Sequence, residues 1–109
     1  VYKRQADAIF CPNEATTYGM LVALRKHKLA GKVKLVGFDS SEELLRAMRN
    51  GEIDALVVQN PRKMGYLGVD TLVRHLRGEE VPDRIDTGVT LVTSERLSEA
   101  EIKELLEIE

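Results

Sequence analysis

The chain predicts an α/β fold, a parallel sheet of about four strands with flanking helices in the order β-α-β-α-β-α-β-α. Three observations carry that expectation. Short apolar runs recur at residues 7–12, 33–38, 54–58 and 89–92. Between them, apolar residues repeat with a period of about 3.6, as on one face of a helix. Gly31, Gly51 and Gly78 close those stretches, as helix-ending glycines do. Strands alternating with helices need crossover connections, which are right-handed and lay the strands parallel.

Residues 1–5 are polar and read as the frayed end of a helix. The run D-A-I-F-C-P at 7–12 is the first strand and delivers Asn13. A helix is expected over 14–30, with Tyr18, Leu21, Val22, Leu24 and Leu29 as its apolar residues. The second strand, V-K-L-V-G-F at 33–38, reads as buried on both faces and ends at Asp39. Ser40 with Glu43 forms a capping box, opening a helix that runs through Leu44, Leu45 and Met48 to Asn50.

The third strand, D-A-L-V-V at 54–58, delivers Gln59. Asn60 as N-cap and Pro61 at the first helical position start the next helix. Met64, Gly65, Gly68, Val69, Leu72, Val73 and Leu76 give that helix one broad apolar face. Residues 79–86 form a charged connector containing Pro82, and G-V-T-L-V-T supplies the fourth strand at 89–92. Ser98 with Glu101 reads as a second capping box, before a terminal helix carrying Ile102, Leu105 and Leu106 on one side.

Composition narrows the function. A chain of 109 residues allows one domain with a modest core, and 43% apolar with 31% charged residues is ordinary globular composition. A net charge of −2, with Lys and Arg spread along the chain, offers no footprint for nucleic acid. No apolar run approaches the roughly 18 residues of a membrane span. The first residue is Val1, so the chain is expected to be processed or cut from something longer. Cys11 is the single cysteine, and with His27 and His75 far away no metal-ligand spacing arises; no cofactor is expected.

Three strands thus present Asn13, Asp39 and Gln59 at one sheet edge. The carboxyl ends of strands are where open α/β sheets gather ligand-binding groups. One carboxylate and two amides suit a small polyhydroxylated ligand. Each residue also has a plainer reading, because Asn and Asp commonly cap helices and form turns after strands. The two roles coexist, since a capping residue can face a cleft. Cys11 reads as a small buried apolar residue, with no base beside it to make a nucleophile. His27 and His75 read as surface groups among Arg and Lys, and residues 99–109 as the wet face of a helix. Gly65 and Gly68 suit close helix packing and lack the strand context of a phosphate loop.

The motifs D-A-I-F-C-P-N-E, V-G-F-D, N-G-E-I-D-A-L-V-V-Q-N-P and T-G-V-T-L-V-T, in that order, resemble the C-terminal portion of the periplasmic sugar-binding proteins of bacterial ABC transporters, the ribose-binding-protein-like group. The resemblance runs from about Ala6 to Thr93. It implies part of a flavodoxin-like lobe, in a protein whose two lobes close on one sugar. It also implies that Asn13, Phe38, Asp39 and Gln59 are this lobe's ligand-binding residues, with no catalytic and no metal-binding residue. Asp39 would accept from two sugar hydroxyls, Asn13 and Gln59 would offer donor and acceptor, and Phe38 would lay its ring against the sugar's C–H face.

About half of such a protein is absent from this sequence, so residues 1–109 are expected to be one domain and a truncated C-terminal fragment. The resemblance places residues 61–86 on the missing lobe. The apolar face of the helix over 62–77 then needs another cover: its own sheet or a second copy of the chain, self-association being the favoured of the two.

The function implied is non-catalytic sugar binding for uptake through a membrane permease, in the periplasm or outside the cell, with a lipid anchor compatible. With half a cleft, the chain is expected to bind sugar very weakly or not at all. The alternative is the effector-binding domain of a sugar-responsive, LacI-like repressor, which shares the fold and the V-G-F-D element. The stretches N-G-E-I-D-A-L-V-V-Q-N-P and T-G-V-T-L-V-T resemble the transport proteins more. A flavodoxin-like enzyme is a third reading, but Asp39 has no second carboxylate, base or phosphate loop beside it.

Overall fold

β1 (Ala8–Phe10), β2 (Lys34–Phe38), β3 (Ala55–Val58) and β4 (Thr90–Val92) form one four-stranded sheet in the order β1-β2-β3-β4. The computed structural model describes residues 6–108, so the helix expected at residues 1–5 lies outside the described residues. β1, β2 and β3 run parallel, with Phe10 opposite Val36 and Phe38 opposite Val57. β4 departs from the expected all-parallel sheet. It pairs antiparallel to β3, with Thr90 opposite Val58. The chain therefore leaves β3 and re-enters β4 at the same edge, and a strand entered from that edge must run backwards.

The described chain divides into two compact units, one made of the residues up to Val58 with those from Thr90 on, the other Gln59–Val89. The first unit holds the core. α1 (Glu14–Lys26) buries Thr17, Leu21 and Leu24, spaced at i, i+4 and i+7. Tyr18 and Val22, expected on that face, are about half exposed at 48% and 46%, so the buried stripe is narrower than the apolar pattern suggested. α2 (Glu42–Arg49) buries Leu44, Leu45, Ala47 and Met48, and α4 (Ala100–Leu106) buries Ile102. These meet Leu35, Leu56, Val58 and Val92 of the sheet.

The strand expected to be buried on both faces alternates instead. In β2, Leu35 and Gly37 are buried while Val36 and Phe38 are half-buried, because successive side chains point to opposite faces and one face is less covered. β3 comes closer to burial on both faces.

Helix ends explain the other differences. α1 stops at Lys26, short of Ala30, because Lys28 takes a left-handed φ of 58° and Leu29 N–H returns to the Leu24 carbonyl. The cap of α2 is Ser41, one residue later than Ser40. Asp39 adopts a left-handed φ of 63° and delays the helix, and Glu43 turns to Arg25 instead of reaching back to a cap. Ser98 does not cap α4, because a short 3-10 helix (Glu95–Ser98) absorbs it and α4 begins after Glu99 without a side-chain cap. Gly51, with φ 76°, does supply the left-handed stop after α2, and Glu52 N–H bonds back to the Ala47 carbonyl there.

The second unit is built on α3 (Pro61–Leu76). Asn60 caps it as expected, its side chain accepting from Lys63 N–H at 2.9 Å, with Pro61 at the first turn. None of its residues is buried, and Tyr66, Val69, Leu72 and Leu76 are each more than half exposed. The connector after it is held by Arg74–Glu79 at 3.0 Å and by a turn in which Asp86 Oδ1 accepts from Gly88 N–H at 2.8 Å.

Candidate functional site

Parallel β1, β2 and β3 put their carboxyl ends on one edge of the sheet. After β1, Cys11 continues the ladder by donating its N–H to the Val36 carbonyl at 2.9 Å, and Pro12 turns the chain into Asn13. Asn13 is the N-cap of α1 in an extended conformation. Its Oδ1 accepts from Thr16 N–H at 2.9 Å and from the Thr16 hydroxyl at 3.0 Å. The capping role is therefore real, and it occupies one end of the amide only. The Nδ2 has no acceptor among the described residues, and the side chain is exposed.

β2 ends in Phe38, which is half-buried and lies outside the core cluster. Asp39 follows. Its N–H donates to the Val57 carbonyl at 2.8 Å, so its backbone is anchored to β3 while its φ of 63° turns the side chain out of strand alternation. Asp is one of the few residues that accept this left-handed conformation, at a cost of order 1–3 kcal/mol for a non-glycine. The half-buried carboxylate accepts no hydrogen bond and forms no ion pair among the described residues. Gln59 is the residue directly after β3, opens the second unit, and is half-buried.

One residue of the first unit that sequence reasoning missed ties this edge together. Thr17 is fully buried in α1. Its hydroxyl donates to the Asn13 carbonyl at 2.7 Å and accepts from Phe38 N–H at 3.2 Å. A Cβ on Gly37 would fall 2.3 Å from Thr17 Cγ2 and 2.7 Å from Thr17 Oγ1. The glycine of V-G-F-D thus lets α1 lie directly on β2. Two signals for this were present in the sequence. Thr17 shares a helical face with Leu21 and Leu24, and a glycine inside a strand marks close approach.

The amino edge is chemically different. Asp54, before β3, accepts from Lys34 Nζ at 2.7 Å and from Leu35 N–H at 2.9 Å. Burial opposes its charge, but the hydrogen bonds from Lys34 and the Leu35 amide, with the lysine charge, outweigh it and hold the carboxyl below its usual range. Arg25 grips Glu52 through two bonds, at 2.9 and 2.7 Å, and reaches Glu43 at 2.9 Å. Hydrogen bonding to Arg25 lowers the Glu52 pKa against the opposing effect of burial.

Other candidates have plain surroundings. Cys11 is buried and its burial pushes the thiol pKa up, away from a reactive thiolate. Among the described residues no group of three or more His, Cys, Asp or Glu could hold a metal ion, and no helix is long and apolar enough to cross a membrane. Two open grooves follow α3, one lined by Met64, Gly68, Thr71 and Pro82, the other by Tyr66, Val69 and Arg77; neither includes the four predicted residues.

The arrangement defines a class: an open α/β unit with polar side chains gathered at the carboxyl ends of its strands, where such sheets take their ligands. The chain belongs to a family within that class, the periplasmic binding protein domain, whose model matches residues 2–80. It is 35% identical over 92 residues to the ribose import binding protein RbsB of Haemophilus influenzae, covering 84% of this chain and 30% of that protein. An ABC transporter solute binding protein from Agrobacterium vitis, solved with bound D-fucose, is 40% identical with a TM-score of 0.84 over 92% of this chain and 34% of that one. A structure described as an ABC transporter, LacI family transcriptional regulator, from Brachyspira murdochii, is 30% identical with a TM-score of 0.82, over 92% of this chain and 35% of its own. The chain thus spans about a third of the length of these relatives.

Proposed function

We propose that this chain supplies one wall of a sugar-binding cleft in a solute-binding protein that serves ABC-transporter uptake. The observation that carries the reading is Asp39, a half-buried carboxylate at the carboxyl end of β2, left without a partner among the described residues and held at a left-handed φ of 63°. A carboxylate so placed accepts two adjacent sugar hydroxyls in charge-assisted hydrogen bonds. Asn13, through an Nδ2 without an acceptor among the described residues, and Gln59, directly after β3, offer further hydrogen bonds, and Phe38 offers an apolar ring surface. The role is binding without catalysis. The partners are a small sugar and the membrane permease, and the site of action is the periplasm or the cell exterior, on a lipid anchor where one is attached.

An effector-binding domain of a LacI-like repressor would use the same edge, and the Brachyspira structure is the observation in its favour. Relatives named for ribose import favour uptake. A helix-turn-helix encoded upstream decides for the repressor, and a signal peptide decides for transport.

A cleft wall alone holds sugar weakly, because the second wall contributes burial and hydrogen bonds. Calorimetric titration of this chain with pentoses and hexoses is expected to give weak but measurable binding, with affinities weaker than about 1 mM; micromolar binding overturns the half-cleft reading, and no binding to any of them overturns the sugar-binding reading. Self-association through α3 belongs to the same proposal, supported by its exposed Tyr66, Val69, Leu72 and Leu76. Light scattering over a range of concentrations is expected to show a dimer, and a monomer throughout overturns that part.

A further inference from the structure

The amides of a strand alternate between its two neighbours. In β2, Asp39 N–H goes to β3 through the Val57 carbonyl, so Phe38 N–H faces the side of β1. β1 has ended at Phe10, and Cys11 is the last residue there to bond β2 through its own N–H. No strand carbonyl takes the Phe38 amide; the Thr17 hydroxyl does, at 3.2 Å. A hydroxyl has one proton. Because Phe38 N–H must be a donor, that proton goes to the Asn13 carbonyl, at 2.7 Å. One fully buried side chain thus joins the turn carrying Asn13 to the strand end carrying Phe38 and Asp39.

We propose that Thr17 is the positioning residue of the sugar-binding edge: it touches no ligand, and its hydroxyl fixes the spacing and orientation of Asn13 relative to Phe38 and Asp39. The inference rests on the sugar-binding reading above and adds to it a residue that lies behind the binding surface. The hydroxyl is the group required here. A methyl in its place leaves the Phe38 amide without an acceptor, and the two loops then relax independently. Gly37 is part of the same device, because only a residue without Cβ lets the Thr17 side chain reach across β2 to the Phe38 amide.

The test compares Thr17→Val, which keeps the shape, with Thr17→Ser, which keeps the hydroxyl, in the 15N-labelled chain. In Thr17→Val, hydrogen exchange at the Phe38 amide is expected to accelerate about tenfold relative to the Leu35 amide, and Thr17→Ser returns it to within about threefold of the parent. Addition of D-ribose reports the function: shift changes at the Asn13 and Asp39 amides are expected to need about fivefold more sugar in Thr17→Val and near-parent concentrations in Thr17→Ser. Unchanged Phe38 exchange in Thr17→Val overturns the hydrogen bond, and an unchanged sugar response beside faster exchange overturns the positioning role. If Thr17→Val does not fold, Thr17→Ala gives the same contrast with Thr17→Ser. If the parent chain shows no response to D-ribose, the sugar-binding reading fails, and the exchange comparison still decides whether Thr17 joins the two loops.

Discussion

Asp54 and Asp39 stand at opposite edges of the same pair of strands, and their surroundings differ. Asp54, before β3, is tied by Lys34 and by the Leu35 amide, and Glu52, two residues earlier in the same loop, is held by Arg25. Asp39, after β2, is half-buried, left-handed and unpaired among the described residues. The amino edge spends its charges on holding strands and helices together. The carboxyl edge keeps a charge in reserve at some cost in strain, which is the arrangement a binding surface needs. An acidic residue beside a strand is read by its partners, since both aspartates follow or precede apolar runs alike in sequence.

The largest effect should come from the contact that builds the carboxyl edge. Gly37→Ala places a methyl 2.3 Å from Thr17 Cγ2 and 2.9 Å from Leu56 Cδ2, and is expected to cost about 2–3 kcal/mol in chemical denaturation. In a Thr17→Ala background the two nearest atoms are gone and the cost is expected to fall by about 1 kcal/mol or more. Equal costs in both backgrounds would remove the Thr17–Gly37 contact from this account.

At the amino edge, Asp54→Ala leaves the Leu35 amide without its carboxylate and is expected to cost about 1–2 kcal/mol, the value being reduced because Asp54 is partly exposed. The pH dependence follows from the same bonds. A carboxyl whose folded pKa lies below its unfolded value of about 4 contributes fully above that value, and the contribution fades as pH falls through the folded pKa. Thermal melts of the parent chain should therefore lose stability below about pH 4 more steeply than those of Asp54→Ala. Parallel acid profiles in the two proteins would show that Asp54 is not held as described.

The smallest effect on stability belongs to Asp39. Asp39→Asn keeps a residue that tolerates the left-handed conformation and removes a charge with no partner among the described residues, so stability is expected to stay within about 0.5 kcal/mol. A large loss would mean that Asp39 is structural, like Asp54, and the contrast between the edges would collapse.

Much of this was legible in sequence. Apolar runs with polar ends located the strands and the polar residues that follow them, and Asn60–Pro61 and Gly51 marked helix ends by local chemistry alone. What was not legible depends on contacts between distant residues. The antiparallel β4 follows from where the chain re-enters the sheet, opposite Val58, which no local pattern encodes. Ser41 displaced Ser40 as cap because Asp39 turned left-handed first. Thr17 read as one more helical residue until β2 was laid against it, although its spacing with Leu21 and Leu24 already placed it on the buried face. Asp39 was identified by position, but only the structure separates it from Asp54 by showing which of the two is paired.

The central claim, that the carboxyl edge is the sugar-binding surface, is tested most directly by titrating the 15N-labelled chain with D-ribose and D-fucose and mapping which amides shift. The account predicts weak, saturable changes at Asn13, Phe38, Asp39 and Gln59, with the amides of Leu35 and Asp54 silent. It further predicts that Asp39→Asn weakens the response at least about tenfold and that Asp54→Asn leaves it intact. Changes centred on the amino edge, a response indifferent to Asp39→Asn, or no response at any sugar concentration would contradict it.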